Sequence, residues 1–106
     1  MATFAYEKGR KTFYFSDHAL DRWWERCQEN GMHGRQQAMD LLRERLDGAR
    51  WMGRTVPAWT RLSKWNRARA EGFLALDDES GFVVNKNPGG GDYVAVTYIE
   101  CKEVLT

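Results

Sequence analysis

Apolar and polar side chains alternate through residues 3–15, "TFAYEKGRKTFYF", which predicts two short strands around a turn at Lys8-Gly9. After Ser16 the period changes. Leu20, Trp23, Trp24 and Cys27 recur at the i, i+3, i+4, i+7 spacing of a single helical face. Ser16 suits the N-cap of that helix, Asp17 places negative charge in its first turn, and Asn30-Gly31 closes it. A second helix is predicted over 35–47, with Ala38, Met39, Leu42 and Leu46 inward and Gly48 as its stop.

The last third reads as strand. Phe73–Leu76 and Phe82–Asn85 form a hairpin across an acidic turn closed by Gly81. "NPGGGD" is a looser turn, and "YVAVTYIECKEV" is the longest strand, rich in β-branched and aromatic residues. Between helices and hairpin, residues 49–71 admit two readings. Pro57 can open a third helix with Trp59, Leu62 and Trp65 roughly on one side; alternatively "AWTRL" is a strand and the rest is loop. The expected fold is a single α+β domain over residues 1–106, two or three helices packed on a small antiparallel β-sheet. Its core is expected to gather Leu20, Trp23 or Trp24, Leu42, Leu46, Phe82, Val94 and Val96.

Composition narrows the class. A chain of 106 residues holds one core. Its five Trp, four Tyr and five Phe give that small core large side chains to bury. No apolar run approaches the roughly 20 residues of a membrane span. "MATFAYEKGRK" carries charge where a signal peptide is apolar, so a cytoplasmic location is expected. Cys27 and Cys101 have neither a CxxC partner nor a His-rich neighbourhood, so they read as buried thiols. Asp77, Asp78 and Glu79 stand at a hairpin tip, where successive side chains diverge rather than converge on a cation. No metal and no cofactor is expected.

The formal net charge of +1 hides a segregation. From Arg50 to Ala70 there are six bases (Arg50, Arg54, Arg61, Lys64, Arg67, Arg69) and no acid. From Asp77 onward there are six acids against Lys86 and Lys102. Trp59 and Trp65 lie among the cations Arg61, Lys64, Arg67 and Arg69, a mixture that suits nucleic acid, whose bases stack on indoles while cations hold phosphates; alternatively, both Trp close the core and the cations are solvated. Lys86, following "FVVN", is a candidate for the same surface. On the first helix, His18 and Arg22 stand one turn apart, and Arg26 follows a turn later. Imidazole moves protons near neutral pH and guanidinium grips phosphate through paired hydrogen bonds, so the His18–Arg22 spacing suits phosphodiester chemistry; alternatively, His18 bonds a local group in the first turn and Arg22 pairs with Glu25 or Glu29.

"FSDHALDRWWERC" also resembles the Ser-x-His-Ala-x-x-Arg-x-x-x-Arg opening of a family of small toxin-like proteins, here on Ser16, His18, Ala19, Arg22 and Arg26. That family is similar in layout to the RelE/ParE and BrnT toxins and to the barnase-, EndoU- and colicin-like ribonucleases. Val96, Thr97 and Tyr98 match its late strand. The resemblance implies a helix pair before a small antiparallel sheet and a metal-independent ribonuclease, with an antitoxin protein as partner. His18 would be the acid/base, Arg22 and Arg26 would neutralise the scissile phosphate, and Thr97 or Tyr98 would position the RNA. The insert "RWMGRTVPAWTRLSKWNRARAEG" and the near-neutral charge depart from the family pattern. They favour a second reading: a non-catalytic phage or mobile-element protein that inhibits a nucleic-acid-guided defence complex, in the anti-CRISPR manner, by binding protein or nucleic acid. An accessory nucleic-acid-binding domain is the third.

Overall fold

The computed structural model describes residues 4–53, 71–86 and 92–100. Along the chain run β1 (Ala5–Lys8), β2 (Lys11–Phe15), α1 (Asp17–Glu29), α2 (Arg35–Asp47), β3 (Arg50–Trp51), β4 (Gly72–Asp77), β5 (Ser80–Lys86) and β6 (Tyr93–Glu100). The strands form one six-stranded sheet in the order β1-β2-β6-β5-β4-β3. Both helices lie where the periodicity places them. The third-helix and "AWTRL" alternatives fall almost entirely on 54–70, outside the described residues, and only β3 before them is seen.

Local chemistry sets the ends of α1. The Ser16 hydroxyl accepts the Ala19 N–H at 3.1 Å, satisfying one of the helix's orphan donors. At the other end Gly31 takes φ +91°, a conformation that favours glycine. Gly31 N–H then donates to Gln28 O and Met32 N–H to Cys27 O, the paired bonds of a Schellman stop.

The sheet is mixed rather than antiparallel throughout. β2 and β6 run parallel, Phe13 opposite Tyr93 and Phe15 opposite Ala95, while every other pairing is antiparallel. The connectivity requires this. Three reversals separate β3 from β6, and the helix pair brings the chain back from β2 to an oppositely directed β3. A periodicity reading sees each strand's faces but not its direction.

One core lies between helices and sheet. Phe13, Phe15, Leu74, Phe82, Val84 and Ala95 meet Ala19, Trp23, Leu42 and Leu46, nearly all without solvent contact. Trp23 is the inward tryptophan: its indole N–H donates to Ala38 O at 2.8 Å, tying α1 to α2, while Trp24 and Leu20 are half-buried. The hairpin β1–β2 closes over the end of α2. Lys8 Nζ reaches the Leu46 and Asp47 carbonyls at 3.4 and 3.3 Å, a cation at the negative end of the helix dipole. Tyr6 donates its hydroxyl proton to Asp47. A smaller cluster of Phe73, Ala75 and Val83, with Met52, Val96 and Ile99 against it, occupies the opposite face, so β4 and β5 bury both faces.

Three core expectations are corrected, and the first is Leu20, half-buried against the edge of the core. Val94 and Val96 are half-buried, and Ala95 and Tyr98 face the helices instead. Val83 pairs with Thr97 but Val84 with Ala95, so Val96 is an extra residue that bulges from β6 and resets its alternation. None of the described helices is long and apolar enough to cross a membrane.

The two adjacent tryptophans should respond differently to truncation. Trp23→Ala removes a buried ring and its hydrogen bond and should cost about 3–5 kcal/mol, whereas Trp24→Ala should cost much less. Denaturant unfolding of both variants checks this; equal costs would contradict the inward assignment.

Candidate functional site

Helix α1 presents its polar side chains in two groups. His18 and Arg22 belong to its first turns. His18 is exposed, and Arg22, with a third of its side chain accessible, lies 3.9 Å from Glu25. Arg26 belongs elsewhere. Its Nη1 is 2.6 Å from Glu29 Oε2 and its Nε is 3.2 Å from Glu100 Oε1 on β6. Tyr98, 3% exposed, donates its hydroxyl to the other Glu100 oxygen at 2.7 Å. The three groups make one chain from helix to sheet, Arg26–Glu100–Tyr98. Its ring is held edge-on by Trp23 with centroids 5.3 Å apart.

Beside this chain is a cavity of about 120 Å³, walled by Trp23, Arg26, Cys27, Arg45, Tyr98 and Glu100 among others. Its electrostatics favour neutral side chains. Burial pushes the Tyr98 phenol above its ordinary range, and the hydrogen bond to the Glu100 carboxylate adds to that. Burial likewise pushes the Cys27 thiol up, against the Arg45 guanidinium and with the Glu100 carboxylate. Both shifts favour the protonated, neutral form of each side chain near neutral pH. Arg26, spanned by two carboxylates, does not hold its fork open for a phosphate.

The residues predicted from sequence therefore separate. Arg26 and Tyr98 come together, joined by Glu100. His18 stands at the opposite end of α1, with Arg22 between. Thr97 pairs with Val83 on the face of the sheet turned away from the helices, the face opposite Tyr98. Lys86 ends β5 and is exposed. Trp59, Arg61, Lys64, Trp65, Arg67 and Arg69 lie outside the described residues, as does Cys101. At the acidic hairpin tip, Asp77 Oδ1 accepts Glu79 N–H at 2.8 Å and the Ser80 hydroxyl at 2.9 Å, a local turn.

Glu100 is the residue that sequence reasoning passed over, as one more acid in an acidic stretch. Its signal was the strand period: two residues beyond Tyr98, it shares that face. Comparison with protein-family models, with curated proteins and with solved structures finds no match.

The clamp generates two expectations. In a double-mutant cycle of Arg26→Met and Glu100→Gln the coupling should be about 1–3 kcal/mol, above the few tenths typical of exposed pairs. An additive cycle would contradict the clamp. At alkaline pH, Tyr98 is joined by Tyr6, whose phenol is pushed up to about 12, chiefly by its hydrogen bond to Asp47. Phenols whose folded pKa lies above the unfolded value of about 10 contribute stability that is complete below pH 10. That contribution is lost as pH rises through the folded values. Stability measured from pH 9 to 12 should therefore fall, and less steeply in Tyr6→Phe/Tyr98→Phe; an unchanged slope would contradict it.

Proposed function

We propose that this protein is an RNA-binding protein that uses its fold without cleaving its ligand. The observation that carries the non-catalytic reading is the commitment of Arg26 and Tyr98 to Glu100, with Thr97 on the other face of the sheet. Of the residues expected to work on a phosphodiester, three are spent on structure or turned away. The RNA-binding part rests on the charge segregation: six bases without an acid between Arg50 and Ala70, with Trp59 and Trp65 among them. Lys86 supports it from the sheet. Phe73 N–H donates to Gly53 O at 2.9 Å and Glu71 N–H to Val84 O at 2.8 Å, so the residues flanking 54–70 are hydrogen-bonded beside the end of β5 that carries Lys86. Set against a nucleic-acid-guided complex, such a surface would compete with the guide or target strand for its groove.

A second reading retains the ribonuclease. It is favoured by His18, exposed and one turn from Arg22, with Ser16 fixing the helix start against β6. In that reading His18 moves the proton and Arg22 holds the phosphate, without Arg26 or Tyr98.

Two measurements separate these readings. RNA binding followed against salt should have a slope that Arg61→Ala/Lys64→Ala/Arg67→Ala reduces by about 2, near 0.7 for each phosphate contact on a single strand. Unchanged binding and slope would remove the segment from the interface. RNA incubated with the folded protein between pH 5 and 8 should stay intact. Cleavage that falls about 100- to 10,000-fold in His18→Ala would replace the binding reading with the ribonuclease.

A further inference from the structure

Away from the Arg26–Glu100 cleft, the strand register lines up one residue from each of four neighbouring strands. Tyr6 of β1 pairs with Phe13 of β2, Phe13 with Tyr93 of β6, and Tyr93 with Lys86 of β5. Directly paired residues share a face. The row is therefore three aromatic rings that end in an exposed ammonium. The Phe13 and Tyr93 rings stack with centroids 5.5 Å apart and planes 26° apart. Trp51 reaches in from β3, its ring 5.4 Å from Phe13 and 5.2 Å from Tyr93. The approach depends on Gly72, where a Cβ would stand 2.4 Å from the indole Cη2. Phe13 has no exposed surface and is the floor; Trp51 and Tyr93 are partly buried and form the rim.

Lysines stand beside the Tyr93 part of this row. Lys11 lies two residues before Phe13 and so shares its face. Asp47 accepts the Tyr6 hydroxyl at the far end of the row, three strands away from Lys86. Partly exposed rings beside ammonium groups suit a ligand with flat bases and a phosphate backbone. A protein partner would use the rings but would need acidic side chains for the lysines. A single-stranded nucleic acid supplies both in every residue.

We propose that Trp51 and Tyr93, with Lys86 at their edge, form a stacking shelf for an unpaired base of single-stranded RNA. This rests on the RNA-binding reading and gives it a site on the sheet, built from residues other than 54–70. One base lies against the aromatic rim, and Lys86 takes an adjoining phosphate.

The probe is a fluorescein-labelled oligouridylate of about 12 nucleotides, followed by anisotropy, and the same strand carrying 5-iodouridine for photocrosslinking. Tyr93→Leu and Trp51→Leu should each weaken binding about 5- to 100-fold with the unfolding midpoint largely kept. Lys86→Gln should lower the salt slope by about 0.7. Crosslinks on the unsubstituted protein, mapped by mass spectrometry, should fall on Trp51 or Tyr93; this readout decides if a variant does not fold. RNA binding with crosslinks elsewhere and unchanged affinity in Tyr93→Leu and Lys86→Gln would overturn the shelf while leaving RNA binding in place. Failure of the unsubstituted protein to bind the strand would overturn both.

Discussion

The junction at Ser16 joins every layer of this protein. Its N–H donates to Ala95 O at 3.0 Å, carrying the parallel β2–β6 ladder one residue past Phe15. Its hydroxyl accepts from Ala19 and donates to Val96 O at 3.2 Å, so one side chain starts α1 and fastens it to the central strand. The residue it holds, Val96, is the bulged one. The bulge turns Tyr98 and Glu100 toward α1; with unbroken alternation from Ala95, Thr97 and Ile99 would face it instead. Ala19 and Ala95, both without exposed surface, leave room for helix and strand to approach this closely.

The clamp below that junction follows from the same geometry. Once Glu100 faces the helices, Arg26 lies within reach of it, and both side chains are mostly withdrawn from water, 18% and 17% exposed. A carboxylate so placed needs its charge met, and Arg26 and the Tyr98 hydroxyl meet it from two sides. Those two side chains also carry much of the chemical character of the "SDHALDRWWERC" helix and its partner strand. With those two used for fastening, Trp51, Tyr93 and Lys86 keep surface in solvent at the other end of the sheet.

Much of this was legible along the chain, because the forces that write it are local. The limits of both helices follow from capping groups and a 3.6-residue apolar period, and Ser16, Asn30-Gly31 and Gly48 stand where those rules put them. The hairpins follow from two-residue periodicity and turn residues. The basic and acidic stretches are plain in the order of residues. The exposure of His18 and its nearness to Arg22 are likewise properties of one helix, and needed no partner element to settle.

Tertiary structure decided what depends on contacts between distant segments. Whether Trp23 or Trp24 turns inward is set by the Ala38 carbonyl that the Trp23 indole finds on α2. The parallel direction of β6 against β2 is set by the number of chain reversals between them. Which half of Thr97-Tyr98 faces the helices is set by a bulge that no short pattern announces, since Val94, Val96 and Ala95 are all apolar. The fate of Arg26 is set by Glu100, 74 positions away. Sequence determined which side chains this protein owns and the faces of its helices. Pairing across the sheet determined which of them meet, because register and strand direction are properties of two segments together and are written in neither alone.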